Sequence, residues 1–337
     1  MHVNTKDEIL DALDGRFRGD LPPPAILTQT GTVQMMDACG TYWPDAHFDT
    51  DKMVRLALQP SELFGFATAR VPFDITAEAE SLGCVVSPGT RDTQPMVMGS
   101  RWRNADGIPP VSDDLISPEE MVGCPRIRTV IDAAERIHDV RQDLFVTSMC
   151  LSASGILMHM VGMEAMLLGA IMEPDRVKGW IDRLVPYSSA YAKALSEVSD
   201  NVMMITGIEC NINTPEMNAM ISEKDGRTIS AIRQSFSTIH DCGFTLYAVD
   251  DIVRMKPDII SLETSSNPEA YLRAIDGRCR TIGCVHPLRT LLHSTPERVR
   301  EEARMSAELG FDLVGPECGV PPLTPNANLK ALADYRS

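Results

Sequence analysis

The sharpest chemistry in this chain sits in two short pieces, His240-Asp241-Cys242-Gly243 and Gly315-Pro316-Glu317-Cys318-Gly319. In an extended segment residues two apart share a face, so His240 and Cys242 can offer a nitrogen and a sulfur to one ion. A second sulfur from Cys318 makes a donor set suited to Zn2+. Three protein ligands leave a fourth position free, the arrangement of catalytic zinc. Glu263 ends another apolar run, and its carboxylate can fill that position and yield it to substrate. The spacing alone leaves a plainer reading open, because free cysteines are commonly buried as small apolar side chains. Cys284-Val285-His286 repeats the alternation in reverse order. It reads as a buried thiol beside a polar loop residue in preference to a second metal site. His159, on an apolar stretch, reads as a hydrogen-bonded core histidine. Met35-Met36 and Met203-Met204 read as packing. Trp43 and Trp102 fall in mouth-side loops and suit contact with a partner, although exposed loop aromatics also occur without a role. Arg70 suits an anionic substrate group or, equally, a structural ion pair with Asp74 or Glu78.

Eight short apolar runs must position these residues: Ala25–Thr28, Ala67–Val71, Leu144–Met149, Val202–Thr206, Phe236–His240, Asp258–Glu263, Thr281–Val285 and Asp312–Gly315. Each is followed by glycine, proline or polar residues, as expected of strands covered on both faces. Helical patterns lie between them: Asp51–Leu63, Ile127–His138, Gly155–Ile171, Pro174–Val198, Pro215–Ile221 and Pro296–Leu309. The last opens on Thr295-Pro296, a hydroxyl cap then proline at the first helical position, and stops at Gly310. Alternation of this kind predicts a parallel sheet. Eight units predict a (β/α)8 TIM barrel, a single domain over 1–337 with a helical extension at its N-terminus. The segment of about 72–125 is too long for an ordinary connection and reads as an insertion after the second strand. That places it at the C-terminal mouth, where barrel active sites lie. His240, Glu263 and Cys318 follow strand ends and open onto the same mouth. No G-x-G-x-x-G or G-x-x-x-x-G-K-[ST] pattern occurs, so nucleotide-binding α/β folds lose support.

Composition narrows the partners. The 337 residues carry 31 Lys and Arg against 47 Asp and Glu, a formal charge of −16. A chain so acidic lacks the basic face that a nucleic-acid backbone or an anionic membrane surface requires. The N-terminus shows no basic stretch leading into an apolar run. Ile156–Met172, the most apolar stretch, is too short and interrupted to span a bilayer comfortably and reads as a buried helix. Nine scattered cysteines are not a disulfide framework in a chain of this length and point to a reducing cytoplasm.

Several motifs together resemble one family. Thr28-Gln29-Thr30-Gly31-Thr32, Trp43-Pro44-Asp45-Ala46-His47 and Ala69-Arg70-Val71-Pro72-Phe73-Asp74 resemble the first part of the methylcobamide:coenzyme M methyltransferases, within the uroporphyrinogen decarboxylase superfamily. His240-x-Cys242-Gly243 and the run from Gly315 to Lys330 resemble their metal-binding pieces. The likeness extends from about Lys6 to the C-terminus. It implies the barrel fold, His240, Cys242 and Cys318 as zinc ligands, and Glu263 as the catalytic carboxylate at the fourth position. Gln29, Arg70 and Asp74 are expected to be cofactor-binding. It further implies a methylcorrinoid carried on a separate corrinoid protein, a small thiol acceptor such as coenzyme M, and a place in one-carbon or methanogenic metabolism.

Three mouth turns depart from the family pattern: Cys150–Ser154, Thr206–Asn211 and Gly283–His286. The acceptor is therefore less constrained than the zinc chemistry. The alternatives are a uroporphyrinogen-type decarboxylase and a non-catalytic barrel that binds a corrinoid protein. The first would want an arginine-rich N-terminal pocket, and only Arg16 and Arg18 precede Arg55.

Overall fold

The computed structural model describes residues 3–104, 107–208 and 210–337. Glu209, within one of the divergent turns, lies outside the described residues. Among the described residues nine strands form: β1 (Thr68–Val71), β2 (Cys84–Ser87), β3 (Met96–Ser100), β4 (Phe145–Leu151), β5 (Asn201–Ile205), β6 (Phe236–Asp241), β7 (Ile259–Leu262), β8 (Arg280–Val285) and β9 (Leu313–Pro316). Seven make one parallel sheet in the order β1-β4-β5-β6-β7-β8-β9, and β2 and β3 pair as a separate antiparallel hairpin. The apolar runs behave as expected of a parallel sheet, and all seven residues of β4 are buried.

The expected first strand is the correction. Ala25–Thr28 does not form a ladder, and the sheet has seven strands where eight were expected. Pro22, Pro23 and Pro24 lead into it and bring no N–H groups. What remains is a single bridge from Pro24 to Val314. The backbone still spans the gap between β9 and β1. Ala25 N donates to Val314 O at 2.9 Å and Val314 N to Pro23 O at 3.2 Å, while Ile26 N donates to Thr68 Oγ1 at 3.2 Å.

Inside the curl of the sheet, Leu27, Phe145, Met149, Met203, Ile259, Ile282 and Leu313 pack with Ile9, Ala12 and Leu13 of the helix Lys6–Leu13. That helix sits against the starts of the strands, where Arg280 Nε, opening β8, donates to Leu13 O at 2.9 Å. It plugs the end opposite the mouth. Outside, the long helices cover the other face. Pro296–Leu309 forms as expected, capped by Thr295 and ended by Gly310 in the left-handed region. The stretch read as one buried helix breaks at Gly162, where φ is +90°. Ala153–Val161 is largely buried, but Met163–Met172 turns away by 110° and leaves Ile171 and Met172 71% and 76% exposed. Among the described residues no single helix is long and apolar enough to cross a membrane. The expected insertion follows β1 and holds a short helix, Ala77–Ser81, the β2–β3 hairpin and Pro118–Val122.

Candidate metal centre

His240 lies one residue before the end of β6, Cys242 just beyond it, and Cys318 two residues past β9. Three strand spacings separate β6 from β9, about 14 Å on a flat sheet. The curl and the two loops remove that distance. The donor atoms of His240, Cys242 and Cys318 all lie within 4.8 Å of one another. Cys242 Sγ is 3.3 Å from His240 Nε2 and 3.4 Å from Cys318 Sγ. His240 Nδ1 is 3.0 Å from the Ser261 carbonyl oxygen, which can only accept, so this nitrogen carries the proton. Nε2 is left with its lone pair facing the sulfurs, as a metal-ligating histidine requires. Ser261 is the β7 residue in register with His240, so sheet pairing itself sets the tautomer. Hydrogen bonding from Cys242 and then burial hold the Cys318 thiol well above its ordinary value. Two sulfurs this close resist losing both protons without a cation between them, and a divalent ion fits that donor set.

Glu263 follows β7 and is half-buried. Its carboxylate is not among the donors of the 4.8 Å group. Next to Cys318, Glu317 is buried and accepts from Ser265 N and Ser265 Oγ, each at 2.7 Å. Cys284 points away from the mouth, with its sulfur 3.4 Å from Ser306 Oγ, and burial pushes its thiol up to about 11. His286 Nδ1 accepts from Leu288 N and Arg289 N. Its lone pair is spent on capping a helical turn.

Asp74 is fully engaged in a structural network. It pairs with Arg126, meets His47 Nδ1 at 3.1 Å and accepts from Thr76 N at 2.9 Å. Burial works against its charge, but Arg126 and the hydrogen bonds outweigh it and hold its carboxyl far below the usual range. Arg70 therefore lacks the ion pair considered for it. Its guanidinium donates to Pro72 O, and no carboxylate lies within 4.0 Å among the described residues. Burial pulls it down to about 9, and its Nε has no partner. Ala69 and Val71 pack under the outer helices, so strand alternation turns Arg70 to the opposite face. Gln29 lies against the metal loop: a Cβ on Gly319 would sit 2.7 Å from Gln29 Oε1, and Val320 N donates to Gln29 O at 2.8 Å. Gln29 Nε2 and the Thr28 and Thr30 hydroxyls are buried without partners among the described residues. His159 Nδ1 is likewise unpartnered among the described residues. A cavity of about 920 Å³, lined by Arg103, Ile108, Gly162, Leu168 and Met172, lies apart from the three donors.

The family model described as Uroporphyrinogen decarboxylase (URO-D) matches residues 4–337. The chain belongs to this family. Within it, the chain is 28% identical over 336 residues to the methylcobamide:CoM methyltransferase MtaA of Methanosarcina barkeri, covering 98% of this chain and 97% of the relative. It is 26% identical over 323 residues to MtbA of Methanosarcina mazei, also a methylcobamide:CoM methyltransferase, covering 94% of this chain and 92% of the relative. A solved methyltransferase from Methanosarcina mazei superposes with a TM-score of 0.89 at 27% identity, covering 99% of this chain and 98% of that one. In this URO-D member the three donors stand out in the sequence, whereas their supports, Ser261 and the Ser265–Glu317 contact, do not. Serine is too common in loops to stand out. Only the strand register and the loop geometry reveal those partners.

Proposed function

We propose that this protein is a zinc-dependent methyltransferase that moves a methyl group from a methylcorrinoid, carried by a corrinoid protein, to a small thiol, coenzyme M first among them. The observation that carries the reading is the His240–Cys242–Cys318 donor group at the mouth of a URO-D barrel whose relatives are named for this activity. Zinc bound by these three residues supplies a Lewis acid that keeps a substrate thiol deprotonated at neutral pH.

The remaining work falls to the chain. Ser261 holds His240 in its ligating tautomer. Two cysteine thiolates offset the ion's charge, so an added substrate thiolate stays electron-rich. Cys242 is exposed, leaving that side open to a large methyl donor. Glu263, at the end of β7, would be the carboxylate to complete the donor set of a bound ion and to give way to the thiol. The substrate sulfur's lone pair forms the new S–CH3 bond as the Co–C bond breaks, and that electron pair remains on cobalt. Arg70, with Gln29 beside Gly319, offers unpartnered donors to the anionic end of the thiol. Asp74 is committed to Arg126 and His47.

The test is anaerobic demethylation of free methylcob(III)alamin with coenzyme M, followed by its visible spectrum with and without chelator. Turnover abolished by chelator and restored by zinc supports the reading. A protein that holds zinc and turns over neither coenzyme M nor any other thiol in a panel overturns it in favour of a non-catalytic barrel.

A further inference from the structure

The contact between Glu317 and Ser265 is more than a loop tie. Glu317 is 2% exposed, and Ser265 donates to both of its carboxylate oxygens, so two charge-assisted hydrogen bonds join the loop after β9 to the loop after β7. Its backbone adds a third attachment, Glu317 N to Val285 O at 3.1 Å, at the end of β8. Cys318 follows Glu317 by one peptide bond, and Glu263 precedes Ser265 by two residues. The clamp therefore joins the loop bearing one candidate ligand to the loop bearing the residue assigned above to the fourth position. Burying a carboxylate costs free energy unless its bonds are well made. A fold needing only a tether could use an uncharged pair here.

We propose that Glu317 is the positioning residue of the metal centre: clamped by Ser265, it fixes Cys318 relative to Glu263, so that Glu263 can leave the fourth position for a thiol and return. This rests on the zinc reading, with Glu263 at the fourth position. Without the clamp the two loops move independently. The metal is then held more loosely, and an incoming thiol meets a site that is no longer preformed.

The experiment uses the full chain loaded with Co(II) as a spectroscopic stand-in for zinc and coenzyme M as the thiol. Wild type, Glu317→Ala, Glu317→Gln and Ser265→Ala are compared by Co(II) affinity and by the shift of the visible bands when coenzyme M is added. Loss of the clamp in Glu317→Ala is expected to weaken Co(II) binding by about 10–100-fold, the usual effect of removing an outer partner of a metal ligand. It should also abolish the thiol-induced shift at coenzyme M concentrations that saturate the wild type. Glu317→Gln keeps one acceptor and Ser265→Ala keeps the backbone donor, so both should fall between. Wild-type affinity and a wild-type shift in Glu317→Ala overturn the proposal. Should that variant fail to fold, an unchanged Ser265→Ala does the same. A wild type without thiolate-to-cobalt bands removes the metal reading itself, and this proposal with it.

Discussion

At the scale of single residues, the donors were legible because their types and spacing are chemically unusual. An H-x-C at a strand end and a distant G-P-E-C-G can meet on one ion whatever the details between them. Cys242→Ser or Cys318→Ser should take the zinc content of the purified protein from about one ion per chain to near none, since serine oxygen is a poor replacement for thiolate. Cys284→Ser should leave it unchanged, because that sulfur faces Ser306 behind the sheet. Metal analysis of the three variants decides it, and loss of zinc in Cys284→Ser would contradict the assignment. Asp74 was not legible in the same way. Its partner Arg126 lies 52 residues away, and only packing shows that the carboxylate is already consumed. Arg70 changes meaning for the same reason, because the partner considered for it is taken.

At the scale of elements, the sequence named the seven ladder strands and the capped helix Pro296–Leu309, where apolar runs and end signals agree. It overreached at Ala25–Thr28, where apolar content suggested a strand but the chain, entering through three prolines without N–H groups, makes only a single bridge to β9 at Pro24. It missed the β2–β3 hairpin, whose Val85, Met96 and Met98 are exposed, so hydrophobicity there does not report burial. The incomplete first strand makes Gly315 critical. A Cβ at that position would lie 2.2 Å from Ala25 O and 2.9 Å from Ile282 Cδ1. Ala25 already donates its N–H to β9, so its carbonyl cannot retreat without opening the join between β9 and β1. Gly315→Ala should therefore destabilise the protein by about 1–3 kcal/mol, the usual cost of forced overpacking. Because Cys318 lies three residues on, zinc affinity should fall as well. Urea unfolding and a zinc titration measure the two effects, and an unchanged unfolding midpoint would show that the join tolerates a side chain.

At the scale of the whole molecule, curling the parallel sheet leaves two carboxyls buried beside the end of β4 with no ion-pair partner among the described residues. Glu78 accepts from Leu151 N at 2.7 Å, and Asp225 accepts from Ser154 Oγ at 2.8 Å and Thr206 Oγ1 at 3.1 Å. Burial raises Glu78 to about 7 and Asp225 to about 6, with Cys150 between them and Tyr191, Asp74 and Arg126 in range of Glu78. A carboxyl with a raised folded value binds its proton more tightly in the folded chain than in the unfolded one. Its contribution is therefore most favourable below its ordinary value of about 4 and is lost as pH rises through about 6 to 7. Asp74 works in the opposite direction, but its value is depressed, so its contribution changes only below about pH 4 and offsets nothing near neutrality. The folded protein should accordingly lose stability between about pH 4 and 7 and change little from this source above that. Glu78→Gln keeps an acceptor for Leu151 N and removes the ionisation. It should flatten that slope and gain about 2–3 kcal/mol over the wild type at pH 8, with little difference at pH 4. Denaturant unfolding of both proteins across that range is the measurement. The formal charge of −16 adds its own repulsion as pH rises, but it is nearly common to both proteins, so the difference between them isolates the buried group. Parallel curves for the two would mean that Glu78 is ionised in the folded state at no cost, and the buried end of β4 would then have to hold a compensating cation.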